Sequence, residues 1–418
     1  MKRTLVIVGA SYAGVQLAAS ARELGFDGHI VMLGDEPDAP YHRPPLSKGF
    51  LKGNYAEDRL PLRSQAFFDE ERIQWMPSTR ATYIDRERKE IELHDGTRIA
   101  YDHLALTTGG RVRKLDCPGA TLEAVHYLRD LRDARRLAQT ARAARRAVVI
   151  GGGYIGLEAA ASLRQKGLEV TVVETEPRLL ARVASPWMSD FVLRAHIQHE
   201  VAFELGRKVA ALHRLYDAVS VELDDGKRLL CDLVVVGIGV IPNTELAVDC
   251  GLKVSGGIAV DACARTSDPS IVAAGDCVSF VPHWAPAGTP ACRVESVQNA
   301  NDMAKTAAAT VVGRGEPYRA LPWFWSDQYD VKLQMAGVNR GFTDFAVRGS
   351  VEGGKFSLFY FRGEALIAVD SINWPQDHML ARKLLANDAR ISPQEVTDPD
   401  FDLKALANRD VRAAEGAA

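Results

Sequence analysis

Two stretches of the chain, far apart in the sequence, repeat the same order of apolar and polar positions. In the first, an apolar run at 4–8 leads into a glycine-containing turn, a helical stretch and a second apolar run at 29–33. In the second, an apolar run at 147–150 leads into three consecutive glycines, a helix and another apolar run at 168–173. Continuous apolar strands that alternate with helices indicate a parallel sheet covered on both faces. The pattern therefore predicts two β-α-β units of the dinucleotide-binding type.

Later apolar runs extend these two units and predict a third domain. The run at 101–108 adds a strand to the first unit, and the run at 229–239 closes the second. A further run at 271–276 is assigned back to the first unit, so the first domain is discontinuous. From about residue 316, apolar and polar residues alternate as in antiparallel strands, with glycine-containing turns between the runs.

The fold class predicted from these patterns is α/β, with two Rossmann-like nucleotide-binding domains followed by a C-terminal α+β domain. In the last domain a helix over 377–387 is expected after the strands, and the tail 409–418 is expected to be loose. The predicted boundaries are 1–110 with 241–315 for the first domain, 111–240 for the second and 316–418 for the third.

The two glycine-rich turns carry the first chemical signal. Glycines in such a turn let the backbone approach a pyrophosphate, so that amides at the start of the following helix can bind it. An acidic residue at the end of the next strand then binds ribose hydroxyls, and Asp35 and Glu174 hold those places. One such motif is weak evidence, whereas two in the same strand-turn-helix context indicate two dinucleotide sites. The candidate residues of the turns are Gly9, Ser11, Gly14, Gly151, Gly153, Tyr154, Ile155 and Gly156.

Residues around the turns also bear on the choice of nicotinamide cofactor. Glu174 favours NADH, because a carboxylate would repel the extra phosphate of NADPH. Arg178 and Arg182 could accept a phosphate, although structural roles or contact with the pyrophosphate are equally open. In the first turn Ser11 occupies the second glycine position, and its side chain is small enough to be tolerated.

Composition narrows the class of protein. A chain of 418 residues suits two or three domains that each bury a core. Lys plus Arg number 51 against 54 Asp plus Glu, so no overall charge draws the chain to nucleic acid or an anionic membrane. The arginine-rich stretch at 129–146 is interpreted first as a solvated helix face, with phosphate binding or docking of an acidic partner as alternatives. No run reaches the roughly 18 apolar residues of a membrane span.

The cysteines and the N-terminal residues favour a reducing, cytoplasmic setting. The six cysteines include no CxxC pair and no close metal-ligand spacing, so no metal site is expected. The start of the chain superficially resembles a signal peptide. The same residues form the predicted first strand, turn and helix, which cleavage would destroy. We therefore expect a cytoplasmic protein.

Sequence motifs occur along nearly the whole chain, at 9–14, 43–48, 107–110, 151–158, 275–277, 293–296 and 322–328, together with Asp35. They closely resemble the motifs of the NADH-dependent ferredoxin reductases, the putidaredoxin-reductase-like flavoenzymes that serve bacterial haem monooxygenases and aromatic-ring dioxygenases. The resemblance implies FAD in the first domain, NADH in the second and a [2Fe–2S] ferredoxin as the protein partner. It also implies a glutathione-reductase-like arrangement of the two nucleotide-binding domains, without the redox disulfide.

The same resemblance assigns roles to individual residues. Lys48 follows a stiff Pro-Pro pair that would hold its ammonium against the flavin ring, and its family partner is Glu158. Trp325 is expected to stack near the isoalloxazine. Without the resemblance, an exposed lysine, an ordinary helix glutamate and a core tryptophan are simpler interpretations. The other candidates for cofactor binding are Ala13, Asp35, Arg43, Ala81, Arg129, Arg182, Gly239, Gly275, Asp276 and Val294.

Two of these candidates have plain structural alternatives. Arg129 belongs to the arginine-rich stretch and need only be one member of that helix face. Asp276 follows a predicted strand and need only cap a helix. A third position, Trp374, stands where relatives commonly carry Arg, and it is expected to affect the choice of partner.

The expected reaction requires a change from two-electron to one-electron transfer. A nicotinamide delivers a hydride, an iron–sulfur cluster accepts one electron, and a flavin can do both. Related disulfide reductases carry a cysteine pair after the first unit, but this chain has no cysteine before Cys117. Electrons are therefore expected to leave from the flavin edge, with Cys277 and Cys292 as buried structural thiols. Rubredoxin or monodehydroascorbate reduction, and a redox sensor resembling apoptosis-inducing factor, remain alternatives.

Overall fold

The computed structural model describes residues 3–284 and 289–408 and divides the chain into two compact units. The segment Pro44–Glu57, which carries Lys48, belongs to the second unit although it lies within the predicted first domain. The predicted domain boundaries stay a prediction, and the tail 409–418 lies outside the described residues. The first unit contains Met1–Arg43, Asp58–Arg111 and Val240–Pro322; the second contains Pro44–Glu57, Val112–Gly239 and Trp323–Ala418.

A five-stranded parallel sheet forms the centre of the first unit. The two apolar runs of the first β-α-β unit pair directly, with Val6 beside Val31. The strand Ile271–Ala273 pairs with His103–Leu106, which confirms that this late run returns to the first sheet. In spatial order the strands are Ile271–Ala273, His103–Leu106, Thr4–Val8, His29–Leu33 and Ile73–Met76.

Helices and small antiparallel strands complete the first unit. The sheet core is fully buried at residues such as Leu5, Ile7 and Leu104, because a parallel sheet covered on both faces admits apolar side chains on each. The remaining strands are Ala81–Asp85, Glu90–Leu93, Arg98–Ala100, Ile258–Ala259 and Val278–Ser279, and the helices are Tyr12–Glu23, Gln65–Glu70, Glu245–Asp249 and Val297–Val311.

The second unit repeats the parallel sheet of the first. The strand Arg146–Ile150 lies in the middle of this sheet, as Thr4–Val8 does in the first. Its neighbours are Glu169–Glu174 and a strand from later in the chain, Leu233–Val236. The outermost strand Val125–Tyr127 precedes its β-α-β unit in the sequence, whereas the equivalent strand of the first sheet, Ile271–Ala273, follows its β-α-β unit. In spatial order the strands are Ala202–Leu205, Glu169–Glu174, Arg146–Ile150, Leu233–Val236 and Val125–Tyr127.

The predicted single strand at 229–239 is wrong, because the structure has two strands there. Arg228–Cys231 belongs to a three-stranded antiparallel sheet, and Leu233–Val236 belongs to the parallel sheet. Asp232 separates them, and its carboxylate accepts hydrogen bonds from the backbone amides of Arg145 and Arg146 at 2.8 and 2.9 Å. The sequence did not indicate this change from one sheet to another, because Asp232 is a single polar residue within an apolar run.

A five-stranded antiparallel sheet and three helices form the C-terminal part of the second unit. The predicted helix over 377–387 is present as Pro375–Ala386, and proline at its first position suits a helix start. In spatial order the strands are Trp323–Gln328, Val331–Gly337, Ala365–Ile372, Lys355–Arg362 and Asp344–Ser350. The other elements of this unit are the strands Val209–Leu215 and Ala218–Leu223, the 3-10 turn Pro44–Ser47, and the helices Gly49–Lys52, Leu131–Thr140, Tyr154–Gln165, Pro186–Gln198, Pro393–Thr397 and Leu403–Ala407.

The parallel and antiparallel sheets together confirm the predicted α/β fold class with a C-terminal α+β part. Among the described residues, no helix combines the length and the apolar character needed to cross a membrane. Short elements at the boundaries of the two units are the strands Gly110–Val112 and Val240–Pro242 and the 3-10 turn Glu57–Arg59.

Candidate active site

The first glycine turn is built so tightly that only glycine fits two of its positions. Gly9 has φ of +114°, and a Cβ there would lie 2.3 Å from the carbonyl oxygen of Thr107. A Cβ on Gly14 would lie 1.9 Å from the carbonyl oxygen of Gly9. The helix Tyr12–Glu23 then begins at Ser11, whose side chain does not cap it, and its first turn carries no acidic residue. This helix start therefore presents backbone amides that suit a phosphate.

Ion pairs hold the acidic residues that follow the second strand of the first unit. Asp35, the predicted ribose ligand, pairs with Arg80 at 2.5 Å, and both side chains are more than half exposed. Glu36 pairs instead with Arg43, which also donates to Ser11 Oγ at 3.3 Å. Arg43 thus lies next to the first glycine turn, as expected of a cofactor-binding cation. Arg80 was not predicted.

The other predicted cofactor residues of the first unit differ in their surroundings. A Cβ on Gly275 would meet the Cβ of Ala13 at 3.3 Å, so the turn before Asp276 packs against the first helix. Ala81 is buried and directly follows Arg80 in the chain. Val294 is partly buried, and its carbonyl oxygen accepts a hydrogen bond from a side-chain amide at 2.8 Å.

The second glycine turn contains two glycines that are required by close packing and one that faces open space. A Cβ on Gly151 would lie 2.5 Å from the carbonyl oxygen of Gly237, and a Cβ on Gly156 would lie 2.1 Å from that of Gly151. A Cβ on Gly153 would meet no atom within 4 Å. Gly153 starts the helix Tyr154–Gln165 without a side-chain cap. The space and amides at Gly153 therefore fit a nucleotide phosphate.

Glu174 is held rigidly beside the second turn. Its Oε2 accepts the backbone amide of Gly152 at 2.6 Å, and its Oε1 accepts the amide of Glu176 at 2.9 Å. The two arginines predicted near this turn, Arg178 and Arg182, differ in their contacts. Arg178 donates to two carbonyl oxygens and to Ser189 Oγ, which favours a structural role. The Arg182 guanidinium lies 3.5 Å from where a Cβ on Gly239 would be, so these two candidates are neighbours.

The centre of the second unit contains a buried ion pair. Lys48 Nζ lies 2.6 Å from Glu158 Oε2, and the two side chains are 15 % and 1 % exposed. Ser47 donates to the same carboxylate oxygen at 2.6 Å, and Ser326 donates to Oε1 at 2.7 Å. The family resemblance predicted the pair, whereas the contacts of Ser47 and Ser326 were not predicted. The simpler interpretations of these two residues, an exposed lysine and an ordinary helix glutamate, are therefore wrong.

The helix that carries Glu158 starts with an aromatic residue, Tyr154. The Tyr154 ring lies 5.0 Å from Phe324, and its hydroxyl donates to the sulfur of Met335 at 3.0 Å. Burial raises the pKa of Tyr154 well above its ordinary value. Ile155, the next residue, is 46 % exposed. Trp325 is partly buried among its sequence neighbours, with Trp323 at 5.7 Å between ring centres.

The arginine-rich stretch has less helix than predicted. The helix runs only over Leu131–Thr140, capped by the side chain of Asp130. Arg129 therefore precedes the helix, and its backbone amide donates to Asp133 Oδ2 at 3.0 Å. The interpretation of Arg129 as a member of the helix face is wrong, and its role at the cofactor stays a prediction.

The cysteines carry no disulfide. All six are free thiols. Cys277 is buried, its thiol donates to the carbonyl oxygens of Leu106 and Ala274, and burial raises the pKa of this thiol. The prediction of a buried structural thiol is therefore confirmed for Cys277, whereas Cys292 is only partly buried. In the described part of the chain, no group of three or more His, Cys, Asp or Glu side chains could hold a metal ion.

Trp374 lies between two cations. The Lys355 ammonium is 5.2 Å and the Arg348 guanidinium 5.9 Å from its ring centre. Its indole also fills the space beside Gly349, where a Cβ would lie 2.6 Å from the ring. A third cation at this position would be repelled by the two that are present. The influence of Trp374 on partner choice stays a prediction.

Comparison with known proteins places the whole chain in one family. Residues 3–304 match the family model described as pyridine nucleotide-disulphide oxidoreductase, and residues 323–407 match the model described as reductase C-terminal. Rhodocoxin reductase of Rhodococcus erythropolis is 46% identical over 402 residues, which are 96% of this chain and 93% of that protein. Putidaredoxin reductase of Pseudomonas putida is 39% identical over 96% of both chains.

Solved structures agree with the sequence comparison. The ferredoxin reductase for the CYP199A2 system from Rhodopseudomonas palustris superposes with a TM-score of 0.94 at 44% identity and covers 97% of this chain and 100% of that chain. The reductase of the covalent putidaredoxin reductase–putidaredoxin complex gives a TM-score of 0.93 at 38% identity, over 100% of this chain and 99% of that chain. The chain therefore belongs to the pyridine nucleotide-disulphide oxidoreductase family, as one of its ferredoxin reductases, enzymes that use FAD and NAD(H).

Proposed function

We propose that this enzyme oxidises NADH and passes the electrons to a [2Fe–2S] ferredoxin that feeds a haem monooxygenase or a ring-hydroxylating dioxygenase. One NADH and two oxidised ferredoxins give NAD⁺, one proton and two reduced ferredoxins. The observation that carries the proposal is the buried pair of Lys48 and Glu158 at 2.6 Å, next to a helix start that suits a nucleotide phosphate. The names of the relatives, which include rhodocoxin reductase and a putidaredoxin complex, supply the class of partner.

Residues of the first unit would hold FAD. The uncapped helix start at Ser11 would bind the pyrophosphate through backbone amides, with Arg43 close by. Asp35, at the end of the second strand, would bind the ribose of the adenosine. When bound, FAD supplies the ability to accept a hydride and to release single electrons. The other proposed FAD-binding residues of the first unit are Gly9, Ala13, Gly14, Ala81, Gly275, Asp276 and Val294, and the family resemblance adds Lys48, Arg129 and Trp325 of the second unit.

Residues of the second unit would hold NADH. Gly153 leaves room for the pyrophosphate, and Glu174 lies at the strand end where a ribose hydroxyl binds. Because Glu174 is fixed by two backbone amides, its charge remains close to the position of the extra phosphate of NADPH. We therefore propose a preference for NADH. The other proposed NADH-binding residues are Gly151, Tyr154, Ile155, Gly156, Arg182 and Gly239.

Lys48 and Glu158 would provide electrostatic stabilisation. The Lys48 ammonium would stabilise negative charge that develops close to it during hydride transfer. Glu158 keeps this ammonium in place and compensates its charge inside the protein, where an unpaired charge is costly. Trp325 would present a flat apolar surface to the flavin ring.

The free cysteines favour a cytoplasmic location for the enzyme. Six free thiols persist best in a reducing compartment, and the buried Cys277 has no role in dithiol chemistry. The electrons would therefore leave from the flavin itself rather than through a disulfide.

Rubredoxin reduction is a second candidate function. A rubredoxin-NAD(+) reductase of Pseudomonas putida is 38% identical over 374 residues, which are 89% of this chain. Both candidates use the same nucleotide sites, so they differ only in the acceptor.

The proposal is tested with the FAD-loaded protein under anaerobic conditions. Addition of NADH should bleach the flavin within seconds, and cytochrome c reduction should depend on an added [2Fe–2S] ferredoxin. Replacing the ferredoxin by rubredoxin distinguishes the second candidate. If NADH bleaches the flavin rapidly but cytochrome c reduction depends on neither the ferredoxin nor the rubredoxin, the proposed partner is wrong. If NADH does not bleach the flavin, the proposed reaction is wrong.

A further inference from the structure

A continuous chain of buried polar groups leads from Glu158 through the strand Trp323–Gln328 to a histidine. Ser326 Oγ lies 2.7 Å from Glu158 Oε1, and Gln328 Nε2 lies 3.0 Å from Ser326 Oγ. His196 Nε2 lies 2.8 Å from Gln328 Oε1. Ser326 and His196 are completely buried and Gln328 is 5 % exposed. We call Ser326, Gln328 and His196 the relay.

The ion pair at one end fixes the direction of every hydrogen bond in the relay. Glu158, as the carboxylate partner of Lys48, can only accept, so the Ser326 hydroxyl donates to it. Ser326 Oγ then accepts from the amide nitrogen of Gln328. The carbonyl oxygen of Gln328 is left to accept from His196, whose Nε2 must carry the proton. Burial lowers the pKa of His196 to about 4, so the imidazole is neutral.

The relay occupies a place where apolar side chains would be expected. A buried polar group destabilises the fold unless it has a hydrogen-bond partner, and a half-satisfied network is worse than an apolar core. Each of the three contacts joins one donor to one acceptor, which makes the relay a continuous series directed at Glu158.

The geometry at Glu158 shows what the relay can control. Lys48 and Ser47 both approach Oε2, whereas Ser326 donates to Oε1. The bond from Ser326 therefore fixes the rotation of the carboxylate group, and this rotation determines where Oε2 holds the Lys48 ammonium. Ser326 is also the direct neighbour of Trp325, and successive residues of a strand point to opposite faces.

We infer that Ser326, Gln328 and His196 are positioning residues that act in series on the Glu158 carboxylate and, through it, on the Lys48 ammonium. This inference rests on the proposed function, in which Lys48 stabilises charge at the flavin. The strand that carries Trp325 thereby also sets the ion pair used in hydride transfer.

Single-turnover kinetics of the FAD-loaded enzyme test the first link of the relay. Flavin bleaching by NADH is followed by anaerobic stopped flow from pH 5 to pH 9. Ser326→Ala should reduce the bleaching rate about tenfold, because one hydrogen bond to a charged group is lost. The dissociation constant of NADH should change by less than twofold, and the pH profile of the bleaching rate should change in shape.

Two further variants separate positioning from packing. Ser326→Thr keeps the hydroxyl and suits a strand, so it should restore the rate and the pH profile towards those of the unchanged enzyme. Ser371→Ala is the matched control, because Ser371 is also fully buried in this sheet but bonds to Ser357 at 2.9 Å. It should leave both the rate and the profile unchanged.

Nitrogen-15 NMR of labelled histidines tests the far end without any turnover. The signal of His196, assigned by its loss in His196→Gln, should have the shifts of the Nε2–H tautomer. Gln328→Leu removes the acceptor, so the signal should then show a mixture of tautomers. This measurement needs neither NADH nor a ferredoxin.

The outcomes are distinguishable. Ser326→Ala with the rate and profile of the unchanged enzyme would overturn the inference, and so would equal slowing by Ser371→Ala with no recovery in Ser326→Thr. An Nδ1–H tautomer at His196 would also overturn it. If NADH does not bleach the flavin of the unchanged enzyme, the proposed function fails, and the tautomer still decides whether the relay has the stated direction.

Discussion

At the scale of single residues, the Lys48–Glu158 pair shows how this chain keeps two charges in its interior. Moving an ion from water into a protein costs several kcal/mol, and a partner charge offsets that cost only with good geometry and further hydrogen bonds. Glu158 has such bonds, since two serines donate to it in addition to Lys48. A pair with this support can be accommodated in the protein interior.

Replacing Lys48 by methionine should slow flavin bleaching by NADH about a hundredfold, because the cation that stabilises developing charge is lost. The serine donors would remain on Glu158, so the protein should still fold and retain FAD. Stopped-flow absorbance gives the rate, and the flavin spectrum gives the FAD content. Lys52→Met, at the end of the same short helix, is the control and should bleach at the original rate. Equal rates for both variants would remove Lys48 from the mechanism.

Glu174 should affect the strength of NADH binding as well as the choice between NADH and NADPH. Its carboxylate accepts the backbone amide of Gly152 in the turn and that of Glu176, so Glu174→Ala loosens the turn in addition to losing the ribose contact. We expect the KM for NADH to rise about tenfold and the discrimination against NADPH to fall. Steady-state kcat/KM for both nucleotides measures this. Glu176→Ala, whose side chain is exposed, should leave both values unchanged.

At the scale of elements, the second glycine turn combines two kinds of glycine that look alike in sequence. Gly156 lets the helix approach the strand, whereas Gly153 keeps space open in front of the helix start. We expect the first kind to be required for folding and the second for nucleotide binding. Substitution by alanine can therefore separate the two functions.

Gly153→Ala should leave the free energy of unfolding within about 1 kcal/mol of its original value, because its φ of −82° suits alanine. The new methyl group would occupy the phosphate space, so NADH binding should weaken about tenfold or more. Gly156→Ala should instead destabilise the protein by about 3 kcal/mol, since its Cβ would lie 2.1 Å from a carbonyl oxygen. Denaturant unfolding and NADH titration measure the two effects. Weak NADH binding only in Gly156→Ala would contradict this assignment.

Structural elements that have a local signal in the sequence were predicted correctly. Both β-α-β units, the antiparallel strands and the pairing of Lys48 with Glu158 were predicted, the last through the family resemblance. The partners Ser47 and Ser326 were not, because a buried serine has no local pattern that reveals a contact far along the chain. Asp232 was missed for the opposite reason, since one polar residue within an apolar run looked like part of a strand.

At the scale of the whole molecule, charge is nearly balanced, with a net of −3, so the pH dependence of stability depends on particular buried groups. Asp370 is the clearest of these. It is 2 % exposed and accepts a hydrogen bond from Tyr360 at 2.7 Å, and Tyr360 in turn contacts Ser185 at 3.0 Å. Burial raises the pKa of Asp370 to about 7.

The raised pKa means that the folded state binds this proton more tightly than the unfolded state, where an aspartate has a pKa near 3.8. As pH rises from about 4 to about 7, the unfolded chain gives up the proton first, so this group lowers the free energy of unfolding across that window. The loss is on the order of 4 kcal/mol and levels off above pH 7. Asp370→Asn keeps an acceptor for Tyr360 and removes the titration, so its stability should exceed that of the unchanged protein at pH 8.

Urea unfolding at pH 5, 6, 7 and 8 measures this difference. The unchanged protein should lose stability along the series more steeply than Asp370→Asn, and the gap should widen up to about pH 7. Asp217→Asn, at an exposed hairpin turn, is the control and should follow the unchanged protein. Parallel curves for the unchanged protein and Asp370→Asn would show that Asp370 does not change protonation on unfolding. The decline would then have to come from other buried groups, such as Asp377, whose pKa burial also raises.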